Sequence, residues 1–237
     1  MNKYLRAHPS GLHLGLMLAL TFSTGVIDAV GYLGLDRVFT GNMTGNVVIL
    51  GMALAGADGL PIAGPAIALV SFMAGAALGG RVLKPVAAGW STRSTALFAG
   101  VGALMIVIAI ALFLAGNRPQ RPVELVLTAL LAVAMGIQAA TARHLAVKDI
   151  TTVVVTSLIT GLAADSRIGS GIGQPWIRRV AALALICAGA TGGALAISLH
   201  LGAGVALSAA IVLAVTLVGH LAGRAHRRPM TSADVAG

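Results

Sequence analysis

The chain has 237 residues, of which 57% are hydrophobic and only 10% are charged. Soluble domains carry about 25% charged residues, so this composition excludes an ordinary soluble domain and favours an integral membrane protein. The formal net charge of +9 does not indicate nucleic-acid binding, because the basic residues lie in short loops and at the ends of apolar windows, where membrane topology places them.

Six apolar windows are each long enough to cross a bilayer as a helix, which takes about 20 residues. The first is too long for the core of a signal peptide, so we expect it to be retained. The sequence therefore predicts an all-α membrane protein with about six transmembrane helices. The windows are 12–33, 62–83, 95–114, 123–142, 180–199 and 202–221.

Two hydroxyl-rich segments interrupt the apolar pattern. The first contains Phe39-Thr-Gly-Asn-Met-Thr-Gly-Asn46, and the second contains Thr151-Thr-Val-Val-Val-Thr-Ser157. Hydrocarbon cannot hydrogen-bond such groups, so they are tolerated at membrane depth only where protein buries them or where they line a watery cavity. We predict two short re-entrant or broken polar helical segments. The first, residues 38–57, is also long enough to span the membrane.

The two halves of the chain resemble each other and predict a 3+3 inverted repeat. Gly25-Val-Ile-Asp-Ala29 aligns with Gly136-Ile-Gln-Ala-Ala140, and Gly75-xxx-Gly79 aligns with Gly189-xxx-Gly193. Glycines with this spacing let membrane helices pack closely. Three spans in each half, an odd number, make the repeat inverted. The predicted division is 1–118 for the first half, 119–224 for the second, and 225–237 for a disordered cytoplasmic tail.

The distribution of Lys and Arg predicts the orientation. With six spans and a cytoplasmic N-terminus, only Arg37, Arg118 and Arg121 of the sixteen basic residues lie outside. A spanning first segment would leave four outside, and two spanning segments would leave six. We therefore expect a multi-pass protein of the bacterial inner membrane with both termini in the cytoplasm. The count favours six spans and leaves seven open.

Asp28 is the leading single candidate for a functional residue. A carboxylate inside a membrane helix must be protonated, paired or in contact with water. It could couple protons or bind a cation, or it could simply hydrogen-bond a neighbouring helix. In the first polar segment Thr40 and Thr44, and likewise Asn42 and Asn46, share a face if the segment is helical. Their hydroxyls and amides could replace the water shell of a solute.

The candidates from the second half are Gln138, Thr152 and Thr156, with Gln138 near the position equivalent to Asp28. Polar residues of this kind also serve simply to hold membrane helices together. No nucleophile set, paired acids or metal-ligand spacing is visible, so we expect no enzymatic activity, metal or cofactor. The expected partners are the lipid bilayer and a small solute or ion, with no nucleic acid. A homo-oligomer is an open alternative.

These motifs resemble the YoaK-like family of bacterial membrane proteins. The resemblance rests on Gly25-xx-Asp28-Ala, Phe39-Thr-Gly-Asn-Met-Thr-Gly-Asn46, Ala134-Met-Gly-Ile-Gln138 and Thr151-Thr-Val-Val-Val-Thr156. It implies a multi-spanning protein of the bacterial inner membrane and implies no particular substrate. Relatives usually carry Asn after the Gln of the second motif, whereas this chain has Ala139. A site that uses that Asn would be altered here.

The paired polar segments favour a transporter or channel for a small solute or ion, with a site near the membrane midplane between the two halves. Proton coupling through Asp28 is one option. The alternative is a non-transporting scaffold or sensor whose polar segments only pack helices against each other.

Overall fold

A computed structural model describes residues 9–117, 119–145, 155–171 and 175–227. Every regular element in these ranges is an α-helix, which confirms the all-α prediction. Thr152 and most of the predicted C-terminal tail lie outside the described residues. The helices are α1 (Pro9–Gly34), α2 (Met43–Leu54), α3 (Ala63–Leu83), α4 (Thr92–Ala115), α5 (Arg121–His144), α6 (Val155–Ala164), α7 (Trp176–Leu199) and α8 (Leu201–Arg227).

Six of these helices, namely α1, α3, α4, α5, α7 and α8, are long and apolar enough to cross a membrane. They coincide with the six apolar windows of the sequence. The other two are short, with 12 residues in α2 and 10 in α6. At about 1.5 Å per residue, α2 is about 18 Å long and does not reach across a hydrocarbon core of about 30 Å. By length, residues 38–57 do not form a seventh span.

Local sequence signals set several helix ends. The Ser91 hydroxyl caps α4 by accepting the backbone N–H of Ser94 at 3.0 Å. Gly116 ends α4 with a φ of 82°, a backbone conformation that glycine adopts without steric cost. Proline in the first turn of α5 fits that position, because the N–H it lacks would have no helical partner there.

The helix ends form two opposite faces. On the first, which we call the vestibule face, Asp36 after α1 lies 3.5 Å from Arg121 at the start of α5. On the same face, the Asn117 side chain after α4 accepts the backbone N–H of Leu201 at 2.9 Å, at the start of α8. The end of α1, the end of α4, and the starts of α5 and α8 therefore lie together.

The second face, which we call the tryptophan face, is organised around Trp90. This side chain precedes α4, stacks on His13 near the start of α1, and packs against Gly219 and Gly223 near the end of α8. On the same face, His144 at the end of α5 contacts the carbonyl of Ala87 at 3.1 Å. The start of the first long helix and the end of the last one therefore share a face.

Three helix pairs provide most of the packing, namely α1 with α7, α3 with α5, and α4 with α8. Within its most apolar window, α7 is only 17% buried and α3 only 22%, against 61% for α1 and 56% for α5. The outer faces of α3 and α7 are therefore the ones that lipid would cover. The core between the other long helices contains Leu20, Ile27, Phe98, Met105, Ile108, Leu131, Val205 and Val212.

The pair α1–α7 is in close contact through glycines on both helices. Gly25 of α1 faces the backbone carbonyl of Ile186, and Gly189 of α7 faces the backbone carbonyl of Phe22. A methyl group at either glycine would overlap the facing carbonyl. The two backbones therefore approach closely only because glycine is present at both positions.

The pair α3–α5 repeats this arrangement. Gly136 of α5 faces the backbone carbonyl of Phe72, and Gly75 of α3 faces the backbone carbonyl of Val133. The four glycines thus form two seams, one between α1 and α7 and one between α3 and α5. These contacts agree with the predicted role of the glycines, which is to let the helices pack closely.

We expect Gly136→Ala to destabilise the protein, because the new methyl group would overlap the carbonyl of Phe72. Overpacking of this kind costs about 1–3 kcal/mol. The matched control is Gly100→Ala in α4, where the methyl group would meet no atom within 4 Å and helix propensity improves. Thermal unfolding in detergent would measure both, and equal melting temperatures would contradict the role of the seam.

Candidate functional site

The chain turns back along α1 as soon as that helix ends. The carbonyl of Gly31 accepts the N–H of Leu35 at 3.2 Å and also that of Val38 at 3.3 Å. A side chain at position 31 would overlap the carbonyl of Val38, so glycine permits this close return. Residues 35–42, which we call the re-entrant segment, therefore run back alongside the helix.

Asp28 anchors the re-entrant segment. Its Oδ1 accepts the backbone N–H groups of Thr40, Gly41 and Asn42 at 3.1, 2.8 and 3.3 Å. The side chain is buried, with 8% of its surface exposed. Consecutive backbone N–H groups that converge on one point form a concave site for negative charge. Here the protein's own carboxylate occupies it.

This anchor lies inside the protein, below the vestibule face. Asp28 precedes the last residue of α1 by six positions, which corresponds to about 9 Å along the helix axis. Helix α2 follows the anchored residues, and the chain after α2 returns to the vestibule face. The contact that shows this return is the hydrogen bond from Arg37 to the carbonyl of Gly59 at 3.2 Å. Residues 35–59 thus enter and leave at the same face, which is the path predicted for the first polar segment.

Asn46 holds the other side of the same turn. Its Oδ1 accepts the N–H of Phe39 at 2.9 Å, and its Nδ2 donates to the carbonyl of Phe39 at 2.5 Å. Asn46 is fully buried. One side-chain amide therefore satisfies both backbone groups of a residue that has left regular structure, as a neighbouring strand would.

The remaining residues of the first polar segment do not form a single helical stripe. Thr40 and Asn42 precede α2, and only Thr44 and Asn46 are helical. Asn42 is exposed and caps α2, since its side chain accepts the N–H of Gly45 at 3.3 Å. Thr44 is exposed. The hydroxyl of Thr40 is fully buried and has no hydrogen-bond partner. The predicted shared face of Thr40 with Thr44 and of Asn42 with Asn46 required a continuous helix, and it is therefore absent.

The second-half candidates are only partly brought to this site. Gln138 on α5 is 1% exposed, and its Oε1 has no hydrogen-bond partner. Met135, one turn before Gln138, packs against Gly41. Thr156 is exposed on α6, which packs against α7 alone among the described helices. The structure thus groups Asp28, Thr40, Asn42 and Asn46, with Gln138 one helical turn from a contact.

Sequence reasoning missed three residues that shape this site. Gly31 permits the return of the chain, and Thr24 and Met135 enclose Gly41. Met135 stands within the quoted motif Ala134-Met-Gly-Ile-Gln138, but as an apolar residue it carried no chemical signal. Only the spacing of Gly31 to Asp28, less than one helical turn, hinted that the two residues act on the same segment.

A large cavity opens on the vestibule face, and we call it the vestibule. Its volume is about 1160 Å³. The residues from the end of α1 into the re-entrant segment form one wall, and the loop before α3 and the start of α5 form the others. Four charged side chains of the described residues line it, namely Asp36, Arg37, Arg121 and Glu124. The sequence analysis treated the two arginines only as topology signals.

We expect Asp28→Ala to lower stability clearly, because two buried backbone N–H groups and one partly buried N–H group would lose their acceptor. Each unsatisfied buried group costs about 1–3 kcal/mol. Asp28→Asn is the matched control, since its amide oxygen can still accept those bonds. Thermal unfolding in detergent would compare the two. Equal losses, or no loss in Asp28→Ala, would show that the anchor is unimportant for the fold.

Comparisons with known proteins agree with this architecture. The family model described as a protein of unknown function, DUF1275, matches residues 16–219. The UPF0700 transmembrane protein YoaK of Bacillus subtilis (strain 168) is 31% identical over 151 residues. That match covers 63% of this chain and 65% of the relative, slightly less than two thirds of its length. No solved structure matches. The resemblance to YoaK-like proteins is thereby confirmed, and the chain belongs to the DUF1275 family of membrane proteins.

Proposed function

We propose that this protein is a transporter or channel for a small solute or ion, with its site at the Asp28 anchor between two inverted repeat halves. The observation that carries the proposal is that only one oxygen of the buried Asp28 carboxylate is hydrogen-bonded to the described residues. Oδ1 of Asp28 is fixed by three N–H groups. Oδ2 accepts no hydrogen bond from any residue that the structure describes.

A carboxylate held in this way suits proton or cation binding. The three bonds to Oδ1 fix the orientation of the carboxyl group, so Oδ2 remains free to bind a proton or a cation. Polar groups in membrane interiors are costly and commonly mark the pathways of ions and substrates. Asp28 would then be the coupling group, and Thr40 and Gln138, whose buried oxygens lack partners, would be the neighbouring ligands.

The two glycine seams support an inverted repeat. Phe22 and Gly25 of α1 stand 111 positions before Val133 and Gly136 of α5. The partners of these residues, at positions 72 and 75 of α3, stand 114 positions before positions 186 and 189 of α7. Each contact of one seam thus has an equivalent in the other. A two-fold axis in the membrane plane would produce this exchange, and transporter sites lie at such repeat interfaces.

The distribution of basic residues supports one orientation. Among the described residues, Arg81, Lys84, Arg93 and Arg143 lie on the tryptophan face, whereas Arg37 and Arg121 lie on the vestibule face. Basic loops face the cytoplasm. We therefore place the tryptophan face and both termini in the cytoplasm of a bacterial cell, with the protein in its inner membrane and the vestibule open to the outside.

A solute pathway from the outside to Asp28 would run along the re-entrant segment. The vestibule is lined by residues 35–37 of the re-entrant segment, and residues 40–42 of the same segment bind Asp28. The vestibule floor and the anchor are thus two parts of one short stretch of chain. Displacement of this stretch would connect the two.

The alternative, a scaffold or sensor without transport, is favoured by a different observation. Asn46, Asn42 and Oδ1 of Asp28 all accept backbone N–H groups from residues 39–45. Side chains that satisfy local backbone groups in this way could serve only to stabilise the broken helix. The two readings differ in whether an ionisable group at position 28 matters.

The test is solute-driven proton movement into liposomes that contain the purified protein and an internal pH dye. We expect a subset of a panel of sugars, amino acids, organic acids and inorganic ions to drive a signal with the wild type. Asp28→Asn should reduce it to the level of empty liposomes, because the variant keeps the acceptor oxygen and loses the titratable proton.

Two results would contradict the proposal. One is a signal that survives in both Asp28→Asn and Asn46→Ala. The other is the absence of any signal with the wild type, together with a lowered melting temperature for Asn46→Ala, which is the result that the scaffold reading requires. Exposed Val47→Ala on α2 is the control for nonspecific damage to that helix.

A further inference from the structure

We infer that the vestibule is a binding site for a small zwitterion, a molecule that carries both a carboxylate and an ammonium group, as free amino acids do. The inference names a substrate class, and as an entrance for transport it rests on the proposed function. The binding itself is carried by the arrangement of the four charged side chains in the vestibule and by the conformation of Arg37.

The two arginines leave most of their donors available. A guanidinium group has five N–H donors. One nitrogen of Arg37 donates to the carbonyl of Gly59. Arg121 pairs with Asp36 at a long distance of 3.5 Å, and 62% of its side chain is exposed. Both guanidinium groups can therefore bind a carboxylate from a ligand while they keep these contacts.

The two carboxylates offer the complementary group. Asp36 is mostly covered, with 16% of its side chain exposed, and Glu124 is half-buried one helical turn after Arg121. Glu124 is close enough to Asp36 and Arg121 to interact with both electrostatically. An ammonium group near Glu124 would relieve the repulsion between the two carboxylates.

The presence of charges of both signs selects the ligand. The described lining contains two positive and two negative side chains. A simple anion would meet two carboxylates in the same cavity, and a simple cation would meet two guanidinium groups. Like charges close together are unfavourable, and complementary charges set specificity more than affinity. A zwitterion can pair each of its groups with the opposite charge.

The backbone conformation of Arg37 also supports ligand binding in the vestibule. Its φ is 51°, and it is the one residue other than glycine with a positive φ among the described residues. This conformation is rare for a long side chain, and such strain concentrates at ligand-binding and switch sites. Arg37 keeps this backbone conformation while its guanidinium group donates to the carbonyl of Gly59 in the vestibule lining. Because glycine adopts this φ freely, Arg37→Gly removes the charge without straining the fold.

The vestibule is also large enough to keep such a ligand partly hydrated. Its volume of about 1160 Å³ exceeds the range of about 300–1,000 Å³ typical of small-molecule sites. Water can therefore bridge part of the contacts, which makes moderate affinity the expected outcome. A zwitterion bound here would touch residues 36 and 37, a few positions before the N–H groups that bind Asp28.

The experiment is equilibrium binding to the protein in lipid nanodiscs. The zwitterionic probes are glycine, L-leucine and L-glutamine, the anionic probes acetate and propionate, and the cationic probes ethylamine and putrescine. We expect at least one zwitterion to bind and the single-charge probes not to bind. Arg37→Gly and Glu124→Gln should each weaken that binding about tenfold or more, the effect of losing a charge-assisted hydrogen bond. The matched controls are Arg81→Gln and Asp58→Asn, which are exposed and lie outside the vestibule.

Three results would overturn the inference, namely equal binding of acetate or propionate, equal binding of the amines, and no binding of any probe to the wild type. The wild-type comparison does not depend on the variants, and Arg37→Gly should keep the melting temperature. The failure of transport is a separate result. Zwitterion binding without flux in liposomes would refute the proposed function and keep this site. Flux of a zwitterion that is unaffected by Arg37→Gly and Glu124→Gln would refute this site alone.

Discussion

Three consecutive backbone N–H groups find one acceptor in the carboxylate of Asp28, and the re-entrant segment depends on this interaction. In hydrocarbon an unpaired N–H costs several kcal/mol, so a chain that leaves helical structure at this depth needs a substitute for water. Asp28 supplies it on one side of the turn, and Asn46 supplies it to Phe39 on the other. The same group that would couple transport is thus also what makes the broken segment stable.

The position of Asp28 depends on the position of α1, the helix that carries it. Gly25 and Asp28 lie three positions apart on α1, so they are neighbours on the helix surface. Gly25 fixes α1 against α7, and Asp28 fixes the re-entrant segment against α1. The seam and the anchor therefore hold α1 between an outer helix and a loop. Any motion of α1 relative to α7 would be transmitted to residues 40–42 without an intermediate element.

The sequence was sufficient for the parts of the fold that depend on local pattern. The six apolar windows became six long helices because length and hydropathy alone determine whether a helix can cross a membrane. The shortness of α2 was harder to foresee, since the end of the helix at Leu54 and its start after Asn42 depend on capping. The partners of Asp28 were beyond reach, because they are backbone groups twelve to fourteen residues away that a fold brings near. The vestibule was equally hidden, because its charged residues come from two places far apart in the sequence, the segment after α1 and the first turn of α5.

The two seams have a consequence for how the protein is made. The first helix of the chain completes its packing only against α7, and α3 completes its packing only against α5. Neither half, when it first leaves the ribosome, contains the partner surface for its own outer helix. Gly75 of α3 must therefore face lipid until α5 is inserted, and Gly25 of α1 must face lipid until α7, near the end of the chain, is inserted. Final folding is consequently an event that follows synthesis, and a chain truncated before α7 leaves α1 without its partner.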